Sequence, residues 1–512
     1  MPQNGLSRRY FFFGATLAGM VPAGGFGSTP SLKSLGYKSP NEKLNLAAIG
    51  AGGQPGADLR IAHGGVENVV ALTDVDWVRG KESFERFPNA KKYKDFRQML
   101  DAQDKEIDAI VIGPPDHMHA ACTLAAMQAG KHIYCEKPLT RTAWEARLLT
   151  QAAEKYKVAT QMGNQGYSHD ATRVACEIIW SGEIGDVKEV HAWTSHPVWP
   201  QRMTKVAAPS PVPDTLDWNL WLGGAADRPF TAGDADYHAF VADRQRSAGR
   251  PVTPAPGPFG FYLPFNWRGF YDFGSSLIGD WGIHILGPAN WALQLGPEYL
   301  ISVECIKKDS LPPFTFPDEL ALRYDFAARP GMPPVSVYWY HHAGGDAYLP
   351  QGMSADVARK IPGQGPQVGP PPRQQSANAR PPEGSGYNSI FVGSKGFLGT
   401  SGRGEGVGLL PGSRWAEYKL PEPYLTRSPG ASTGSNHAAH LRDWVRACKG
   451  GAPACSNFSI AGKYTEWLVL GAAAVHAEGK LMWNNAKGEF SNNREVNRWV
   501  KPTFRKGWDL KL

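Results

Sequence analysis

Three polar residues have the types and the spacing to oxidise an alcohol. Lys137 follows a predicted strand in "HIYCEKP", and Asp280 and His284 are four residues apart in "GDWGIHILG". Oxidation of a secondary alcohol needs a base for the hydroxyl proton and a group that stabilises the growing alkoxide while the hydride leaves. On one helix, Asp280 and His284 would share a face. We therefore expect His284 to be the acid/base, Lys137 to hydrogen-bond the reacting oxygen, and Asp280 to position them.

Each of these residues also has an ordinary structural explanation. Lys137 could be a solvated lysine, Asp280 a helix cap and His284 a partly buried histidine with satisfied hydrogen bonds. Their joint occurrence favours catalysis, because Lys137 ends a strand at the edge where open α/β sheets bind ligands.

A glycine-rich segment precedes these residues in the chain. "GAGGQPG" places Gly50, Gly52, Gly53 and Gly56 between a predicted strand and a predicted helix, where backbone N–H groups meet a pyrophosphate. The spacing is GxGxxxG, not GxGxxG. Asp74 ends the next predicted strand, eighteen residues after Gly56, where its carboxylate reaches an adenosine ribose hydroxyl. A 2′-phosphate beside this carboxylate would be repelled, so the segment predicts NAD and disfavours NADP.

Strands and helices alternate through residues 44–165. The predicted strands are 44–50, 69–76, 107–115, 131–138 and 158–166, with helices at 119–130 and 142–157. Such alternation predicts a doubly wound parallel sheet of the Rossmann type that binds the cofactor. Asn164 ends the last strand, near the expected nicotinamide position, and is a further candidate for cofactor binding.

The rest of the chain has longer, alternating strands. They are predicted at 185–199, 299–308, 319–326, 334–343 and 389–402. This pattern favours an open, largely antiparallel sheet, so the fold class is an α/β domain followed by an α+β domain. We expect the substrate domain to span 166–480, with Pro/Gly-rich insertions at 200–264 and 351–386 and a C-terminal tail at 481–512.

Residues 113–142, "GPPDHMHAACTLAAMQAGKHIYCEKPLTRT", resemble the Gfo/Idh/MocA family of oxidoreductases, the glucose-fructose oxidoreductase and inositol dehydrogenase group. Glu136-Lys137-Pro138 matches the signature of that family, and Gly113 to His119 is similar to its preceding "P-x-x-x-H" cofactor loop. The resemblance implies that Pro115, His119, Glu136 and Lys137 contact the cofactor.

The resemblance extends into the second domain. "GDWGIHILG" is similar to the "D-x-x-x-H" segment of the family, which implies the same catalytic roles for Asp280 and His284. One departure is Gly287, which stands where the family often has a carboxylate. Substrate orientation is therefore the expectation that the resemblance supports least.

Polar and aromatic side chains are candidates for substrate binding. His191, Trp193 and His196 alternate on the predicted first strand of the second domain, so they are expected to point to one face, and Trp267 and Arg268 precede the catalytic segment. A polyol or sugar offers hydroxyls to bond and a flat apolar face to stack, which suits such residues. The same residues could equally be core aromatics and ordinary strand residues.

The first residues resemble an export signal. Arg8 and Arg9 in "SRRYFFFG" begin a short apolar run, as in twin-arginine signals. We expect residues 1–43 to be signal and leader, the twin-arginine export machinery to be a partner, and the protein to be periplasmic or otherwise exported. No later apolar run approaches the ~20 residues of a membrane helix, so no stable membrane anchor is expected.

Composition excludes several functional classes. The net charge of +7 is spread over 512 residues without a Lys/Arg block, so nucleic-acid binding is not expected. The six cysteines form no C-x-x-C pair, although Cys448 and Cys455 are close enough to be bridged. Metal binding by His117 with His119, or by His341 with His342, is not expected. Open antiparallel sheets often pair through their exposed parts, which predicts a homo-oligomer.

These features predict an NAD-dependent oxidoreductase acting on a ring hydroxyl of a sugar, cyclitol or glycoside. Twin-arginine export carries folded proteins, and a freely exchanging cofactor would be lost outside the cytoplasm, so the cofactor is expected to be tightly bound. One alternative is a redox-neutral NAD-dependent glycosidase, in which oxidation, elimination, water addition and reduction give net hydrolysis. The other is a non-catalytic, cofactor-loaded binding protein.

Overall fold

The computed structural model describes residues 42–194, 199–247, 252, 260–341, 349–350, 353–354, 357, 365–366, 368, 386–428 and 436–512. The predicted export signal therefore lies outside the described residues, apart from Glu42 and Lys43. Most of the predicted insertion at 351–386 and the substrate candidate His196 also lie outside them. No helix in the described part of the chain has the length and apolar character needed to cross a membrane.

The N-terminal part is a parallel sheet covered by helices. Its strands are β1 (Asn45–Ile49), β2 (Asn68–Thr73), β3 (Lys91–Tyr93), β4 (Ala109–Ile112), β5 (His132–Cys135) and β6 (Thr160–Met162). Its helices are α1 (Gln54–His63), α2 (Trp77–Arg86), α3 (Phe96–Gln103), α4 (Asp116–Gln128) and α5 (Ala143–Tyr156). The strand order is β3-β2-β1-β4-β5-β6, with every pair parallel. The predicted doubly wound sheet is confirmed.

The sequence explains this sheet locally. All of β4 and β5 is buried, as expected for strands covered on both faces. Strand order reverses between β1 and β4, which opens a crevice at the carboxyl ends of the strands. This edge carries the glycine loop, the "EKP" segment and the loop after β4, because each of them directly follows a parallel strand.

The second sheet is larger and mixed. Its strands are β7 (Val187–Thr194), β8 (Leu300–Lys308), β9 (Leu320–Phe326), β10 (Val335–His341), β11 (Ser389–Gly393), β12 (Gly396–Ser401), β13 (Gly406–Leu410), β14 (Lys480–Asn484) and β15 (Glu489–Phe490). In the described ranges the order is β13-β12-β11-β7-β10-β9-β8-β14-β15. Only the β7–β10 pair is parallel there. The expected open, largely antiparallel sheet is confirmed.

The remaining helices are α6 (Asp170–Trp180), α7 (Trp218–Leu222), α8 (Ala235–Ser247), α9 (Ser276–Asp280), α10 (Gly282–Ile285), α11 (Gly287–Ala292), α12 (Gly412–Glu417), α13 (Asn436–Cys448), α14 (Phe458–Ala474) and α15 (Asn497–Val500). Helices α7 and α8 belong to the predicted insertion at 200–264. One face of the large sheet packs into the main core through alternating residues such as Val337 and Trp339, while Tyr338 lies on the opposite face.

The two sheets are not separated as simply as the sequence suggests. Helix α13 packs against α1 and β6, and its Leu441 and Trp444 share a buried cluster with Leu46 of β1. Helix α14 packs along α5. Late residues of the chain therefore complete the N-terminal layer. The predicted boundary at 480 also differs from the structure, because it falls at the start of β14, which pairs with β8.

Candidate active site

A cleft of about 920 Å³ opens at the carboxyl edge of the parallel sheet. Its floor is formed by the loops after β1, β2, β4 and β5. The opposite side comes from the α7–α8 insertion, the segment around Trp267 and the α9–α10 turn. The cleft thus lies between the parallel sheet and elements of the second part of the chain.

The glycine loop has the backbone form that a dinucleotide needs. Gly50 and Gly53 have φ values of +77° and +68°, in the left-handed region of backbone conformation, where a residue with a side chain would be strained. A Cβ at Gly50 would also lie 2.8 Å from the nitrogen of Pro114. Helix α1 begins at Gln54, so its free N–H groups lie beside the loop and suit a pyrophosphate. Gly52 lines the cleft, whereas Gly56 packs closely on Ala51 and Ser83.

Asp74 closes this loop from the end of β2. Its Oδ2 accepts from the N–H of Gly52 at 2.9 Å, and its Oδ1 accepts from the N–H of Asp76 at 2.9 Å. Burial raises the pKa of Asp74 to about 6, against the effect of these two hydrogen bonds. The carboxylate lines the cleft where an adenosine ribose would lie, and it also fixes the loop.

Arg79 is a cleft residue that the sequence reasoning missed. It lies in the first turn of α2, and a Cβ at Gly53 would collide with its Nη2. Its guanidinium also lies 5.1 Å from the ring centre of Phe265. A cation here can neutralise phosphate charge. The sequence signal that could have identified Arg79 is its place in the first helical turn after β2.

His119 joins the two cofactor loops. Its Nδ1 lies 2.8 Å from the carbonyl oxygen of Pro138 and its Nε2 lies 2.8 Å from that of Pro114. Burial lowers the pKa of His119 to about 4, so the neutral ring can donate to only one of these oxygens at a time. Both His119 and Pro115 line the cleft, and His119 holds the loops after β4 and β5 together.

Glu136 lies deeper, beside a second buried carboxyl. Burial raises the pKa of Glu136 well above its usual value, and the neighbouring Asp58 raises it further. Burial raises the pKa of Asp58 to about 7. His437 of α13 hydrogen-bonds Asp58, and both Glu136 and His437 line the cleft. His437 had no sequence signal, because it reaches the site from the far end of the chain.

Lys137 and Asp280 are in direct contact. Lys137 Nζ lies 2.7 Å from Asp280 Oδ1 and 3.2 Å from its carbonyl oxygen. Arg268 Nε donates to the same Oδ1 at 2.9 Å. Burial opposes ionisation of Asp280, but the Lys137 and Arg268 cations hold its pKa well below the usual range. The three side chains form one buried ionic cluster that lines the cleft.

His284 lies in the cleft but does not pair with Asp280. The sequence suggests one helix, whereas the chain breaks at Trp281 between α9 and α10. Neither ring nitrogen has a hydrogen-bond partner in the part of the chain that the structure describes. Burial and the Lys137 cation lower its pKa well below the usual value. No hydrogen bond joins the two among the described residues, since the Asp280 carboxylate is directed to Lys137 and Arg268, but the charge of Asp280 opposes the lowering of the His284 pKa.

Asp116 is a further acidic group in the cleft. It is the first residue of α4, it is 2% exposed, and its Oδ1 has no hydrogen-bond partner among the residues described. Burial raises its pKa to about 8, although Arg268 opposes this shift. Asp116 is the aspartate of "GPPDHMH", and its residue type alone gave no signal for a role in the cleft. Asp116 can hold a proton at neutral pH.

The substrate candidates divide into two groups. Trp267 and Arg268 line the cleft, and the Arg268 guanidinium lies 4.1 Å from the Trp267 ring centre. His191 and Trp193 are instead on the large sheet, where His191 stacks on Tyr338 with ring centres 4.6 Å apart. Neither is among the described residues that line the cleft. Alternation correctly predicts that they share a face, but that face points away from the core helices.

Asn164 and several aromatic residues complete the surroundings. Asn164 is 1% exposed, and neither polar atom of its amide has a partner in the described ranges. Its neighbour Gln165 lines the cleft. Five further aromatic rings also line it, and local sequence gave no signal for them: Trp199, Trp221, Phe265, Trp281 and Trp508.

Two further predictions from the sequence concern a disulfide bond and metal binding. Cys448 and Cys455 are both free thiols, with Cys448 buried and Cys455 beside Ser168. The bridge that the sequence left open is therefore not formed. The described residues contain no group of three or more His, Cys, Asp or Glu side chains placed to hold a metal ion. His117 contacts the Trp221 carbonyl instead.

Residues 44–164 match the family model described as "Oxidoreductase family, NAD-binding Rossmann fold" of the GFO_IDH_MocA type. The resemblance found in this segment is thereby confirmed, and the segment is an NAD-binding Rossmann domain. Asp74, Arg79 and the glycine loop fit this cofactor, since they offer a ribose acceptor, a phosphate cation and free N–H groups.

Sequence relatives match a limited part of the chain. A levoglucosan dehydrogenase of Pseudarthrobacter phenanthrenivorans is 33% identical over 106 residues, 21% of this chain and 27% of the relative. An inositol 2-dehydrogenase of Salmonella typhimurium is 33% identical over 129 residues, 25% of this chain and 38% of the relative. The chain therefore spans well under half the length of these curated relatives.

Solved structures share the fold over most of the chain. An inositol dehydrogenase homolog from Azotobacter vinelandii, complexed with NADH and myo-inositol, superposes with a TM-score of 0.51 at 17% identity, covering 88% of this chain and all of the other (100%). The WlbA dehydrogenase of Chromobacterium violaceum, in complex with NADH and UDP-GlcNAcA, gives a TM-score of 0.54 at 14% identity, covering 88% and 98%. At these identities the likeness establishes the fold alone.

Proposed function

We propose that this protein is an NAD-dependent oxidoreductase that transfers a hydride between a ring hydroxyl of a sugar, cyclitol or glycoside and its nicotinamide cofactor. One observation carries the proposal. The Lys137–Asp280–Arg268 cluster and the unpartnered His284 line the same cleft as the glycine loop of the NAD-binding domain. A base, a cation and a cofactor site are thus adjacent.

The side chains suit alcohol oxidation. NAD, when bound, supplies the hydride acceptor. His284 is neutral because burial lowers its pKa, so a ring nitrogen can take the hydroxyl proton. Lys137 Nζ can donate a hydrogen bond to the developing alkoxide. Asp280 acts through Lys137 and Arg268, since its carboxylate holds both cations in place.

The lining of the cleft supports a carbohydrate substrate. Trp267 and Arg268 form a flat, stacked surface, and Trp199, Trp221 and Phe265 add aromatic rings. Such rings pack on the apolar faces of sugars, while cations and unpartnered polar groups bond hydroxyls. The names of the relatives, inositol 2-dehydrogenase and levoglucosan dehydrogenase, are consistent with this substrate class.

The test is a substrate panel with a redox readout. The purified chain, supplied with NAD, is incubated with myo-inositol, levoglucosan and a nitrophenyl glucoside, and NADH absorbance is followed. We expect NADH to accumulate with at least one compound and His284→Asn to abolish that signal. NAD that stays bound while no compound of a wider polyol and glycoside panel reacts would favour the non-catalytic binding protein.

Asp116 favours one alternative, the redox-neutral glycosidase. A carboxyl group that keeps its proton to about pH 8 can protonate a leaving aglycone. After oxidation of a ring hydroxyl, the neighbouring C–H becomes acidic, the aglycone leaves with a proton, water adds, and the hydride returns to the ring. The same panel separates the alternatives, because nitrophenol released without NADH accumulation indicates the glycosidase.

We also propose that the protein is exported with its cofactor already bound. The support is the pair Arg8 and Arg9 before an apolar run, together with the NAD-binding domain. Cell fractionation of the wild type and of an Arg8→Lys/Arg9→Lys double variant tests it. We expect periplasmic protein that keeps NAD(H) through dialysis, and cytoplasmic retention of the variant. Wild-type protein found only in the cytoplasm would contradict the proposal.

A homo-oligomer remains a further proposal. Ile301 and Ile306 on β8 are 42% and 46% exposed, and each stands at an irregularity in the pairing of β8 with β9. Exposed apolar side chains on an open sheet favour self-association. Light scattering should give a mass that is a multiple of the chain, and Ile301→Glu should lower it.

A further inference from the structure

The last described residues connect the insertion at 200–264 with the NAD-binding domain. Arg505 is the main anchor. Its Nη1 donates to Asn219 Oδ1 at 2.9 Å, its Nη2 to the Asn219 carbonyl at 2.9 Å, and its Nε to the Gly223 carbonyl at 3.0 Å. Its backbone N–H donates to the Gly224 carbonyl at 3.0 Å. This part of the chain is therefore fastened to the α7 end of the insertion.

Trp508 follows this anchor and faces the parallel sheet. Its backbone N–H donates to the Arg505 carbonyl at 3.0 Å. Its ring centre lies 6.4 Å from that of Phe96, and the Arg97 guanidinium lies 4.6 Å from it. Beyond it, the Lys511 carbonyl accepts from Gln128 Nε2 at 2.8 Å. The chain is thus held both before and after Trp508, and Trp508 lines the cleft.

The part of the cleft that Trp508 lines is the adenosine end. Phe96 follows β3, and β3 pairs with β2, whose end carries Asp74. The N–H of Asp74 donates to the Tyr93 carbonyl at 3.2 Å, which joins these two strand ends. In doubly wound sheets the adenosine ribose lies at the end of β2, while the nicotinamide lies toward β4 and β5. Trp508 is therefore remote in the sheet from Lys137, which follows β5.

We propose that Trp508 forms one wall of the adenosine pocket and that residues 505–511, here called the anchor segment, slow the release of NAD. An adenine ring stacks well on a flat, half-buried aromatic side chain, and the cationic Arg97 on the ring adds polarity suited to a nucleotide. The proposal depends on the NAD-binding domain and is independent of the reaction that the protein catalyses.

Fragments of the cofactor test the wall. ADP-ribose contains the adenosine half of NAD, and nicotinamide mononucleotide lacks it. Titration calorimetry should give roughly tenfold weaker binding of ADP-ribose to Trp508→Ala, with binding of nicotinamide mononucleotide unchanged. Trp508→Phe keeps an aromatic face and should retain most of the affinity. Tyr424→Ala removes an exposed ring outside the cleft and serves as the matched control.

Arg505→Ala tests the anchor, because it removes the hydrogen bonds of the Arg505 side chain while residue 508 is still a tryptophan. We expect this variant to lose more NAD(H) during dialysis than the wild type, measured by absorbance and by mass. Thermal melting shows whether each variant is folded, and Trp508→Phe and Arg505→Ala keep the test valid if Trp508→Ala does not fold. Unchanged ADP-ribose affinity in a folded Trp508→Ala protein, or an equal loss for nicotinamide mononucleotide, would overturn the proposal.

Discussion

Lys137 and Asp280 are 143 residues apart in the chain, yet Nζ of one lies 2.7 Å from Oδ1 of the other. Lys137 follows β5 of the parallel sheet, and Asp280 ends α9. The ion pair therefore crosses the cleft and joins its two sides. It also fixes the ammonium group next to His284, where a reacting hydroxyl would have to lie.

Replacement of Lys137 tests its role toward that hydroxyl. Lys137→Met should lower kcat by on the order of a hundredfold, as loss of one donor to a developing oxyanion does. Lys131→Met is the matched control, because Lys131 is also buried but precedes β5, at the opposite edge of the sheet, where it pairs with Asp104. Turnover is measured with saturating NAD and the substrate found in the panel. Near-normal turnover in Lys137→Met would contradict the assignment.

Asp280 should matter for stability as well as for positioning. Its side chain is 8% exposed and compensates two cations that are 15% and 16% exposed. Asp280→Asn leaves both cations partly uncompensated, so we expect the free energy of unfolding to fall by about 3 kcal/mol. Asp236→Asn breaks an ion pair whose two side chains are 75% exposed and should have no measurable effect. Urea unfolding followed by tryptophan fluorescence gives both values.

The double variant Asp280→Asn/Lys137→Met sharpens this test. If the loss in Asp280→Asn comes from unpaired charge, removing Lys137 as well should restore part of the stability. A double variant whose loss equals the sum of the two single losses would show that the pair is not coupled.

The residues that the sequence placed well are those that follow parallel strands. Gly50, Asp74 and Lys137 directly follow or end a strand, and topology alone brings such positions to one edge. His284 was expected in the cleft for another reason, the resemblance to a family segment. The absence of a hydrogen bond between His284 and Asp280 was not predictable, because the break at Trp281 lies where α9 and α10 pack on α14.

Contacts between segments that are far apart in the chain have no local pattern in the amino-acid sequence. Trp508 lies against Phe96, although hundreds of residues separate them in the chain. Trp221 contacts His117 across about a hundred residues of chain. Alternation on β7 assigns His191 and Trp193 to one face, but which face the core helices cover is decided by α14 and its neighbours. Sequence periodicity therefore finds elements and faces more readily than it finds what covers them.

Asp74 should control the choice between NAD and NADP. Its carboxylate lies at the expected ribose position, and Arg79 lies nearby on α2. In Asp74→Ser the repulsion of a 2′-phosphate is removed while the arginine stays, so the preference for NADH over NADPH should fall roughly tenfold. Nucleotide fluorescence titrations measure both affinities. Asp76→Ser removes a carboxylate two residues away that caps α2 and should change the ratio less. An unaltered ratio in Asp74→Ser would remove Asp74 from the specificity argument.

Asp116 distinguishes the two enzymatic alternatives through pH. Burial raises its pKa to about 8, so the group is protonated below that pH and ionised above it. If Asp116 protonates a leaving aglycone, release of methanol from a methyl glucoside should fall as the pH rises past 8, where the proton is lost. An alkyl aglycone is the right probe, because nitrophenolate can leave without a proton. Asp116→Asn should lower methanol release by on the order of a hundredfold at neutral pH, since a general acid contributes about that much. Asp95→Asn, at the adenosine end of the same cleft, should keep the wild-type profile.

Oxidation with a substrate that carries no leaving group should proceed in Asp116→Asn, because that step uses His284 and Lys137. An Asp116→Asn protein that releases methanol from the methyl glucoside at the wild-type rate would exclude Asp116 as the donor and remove the structural reason for preferring the glycosidase.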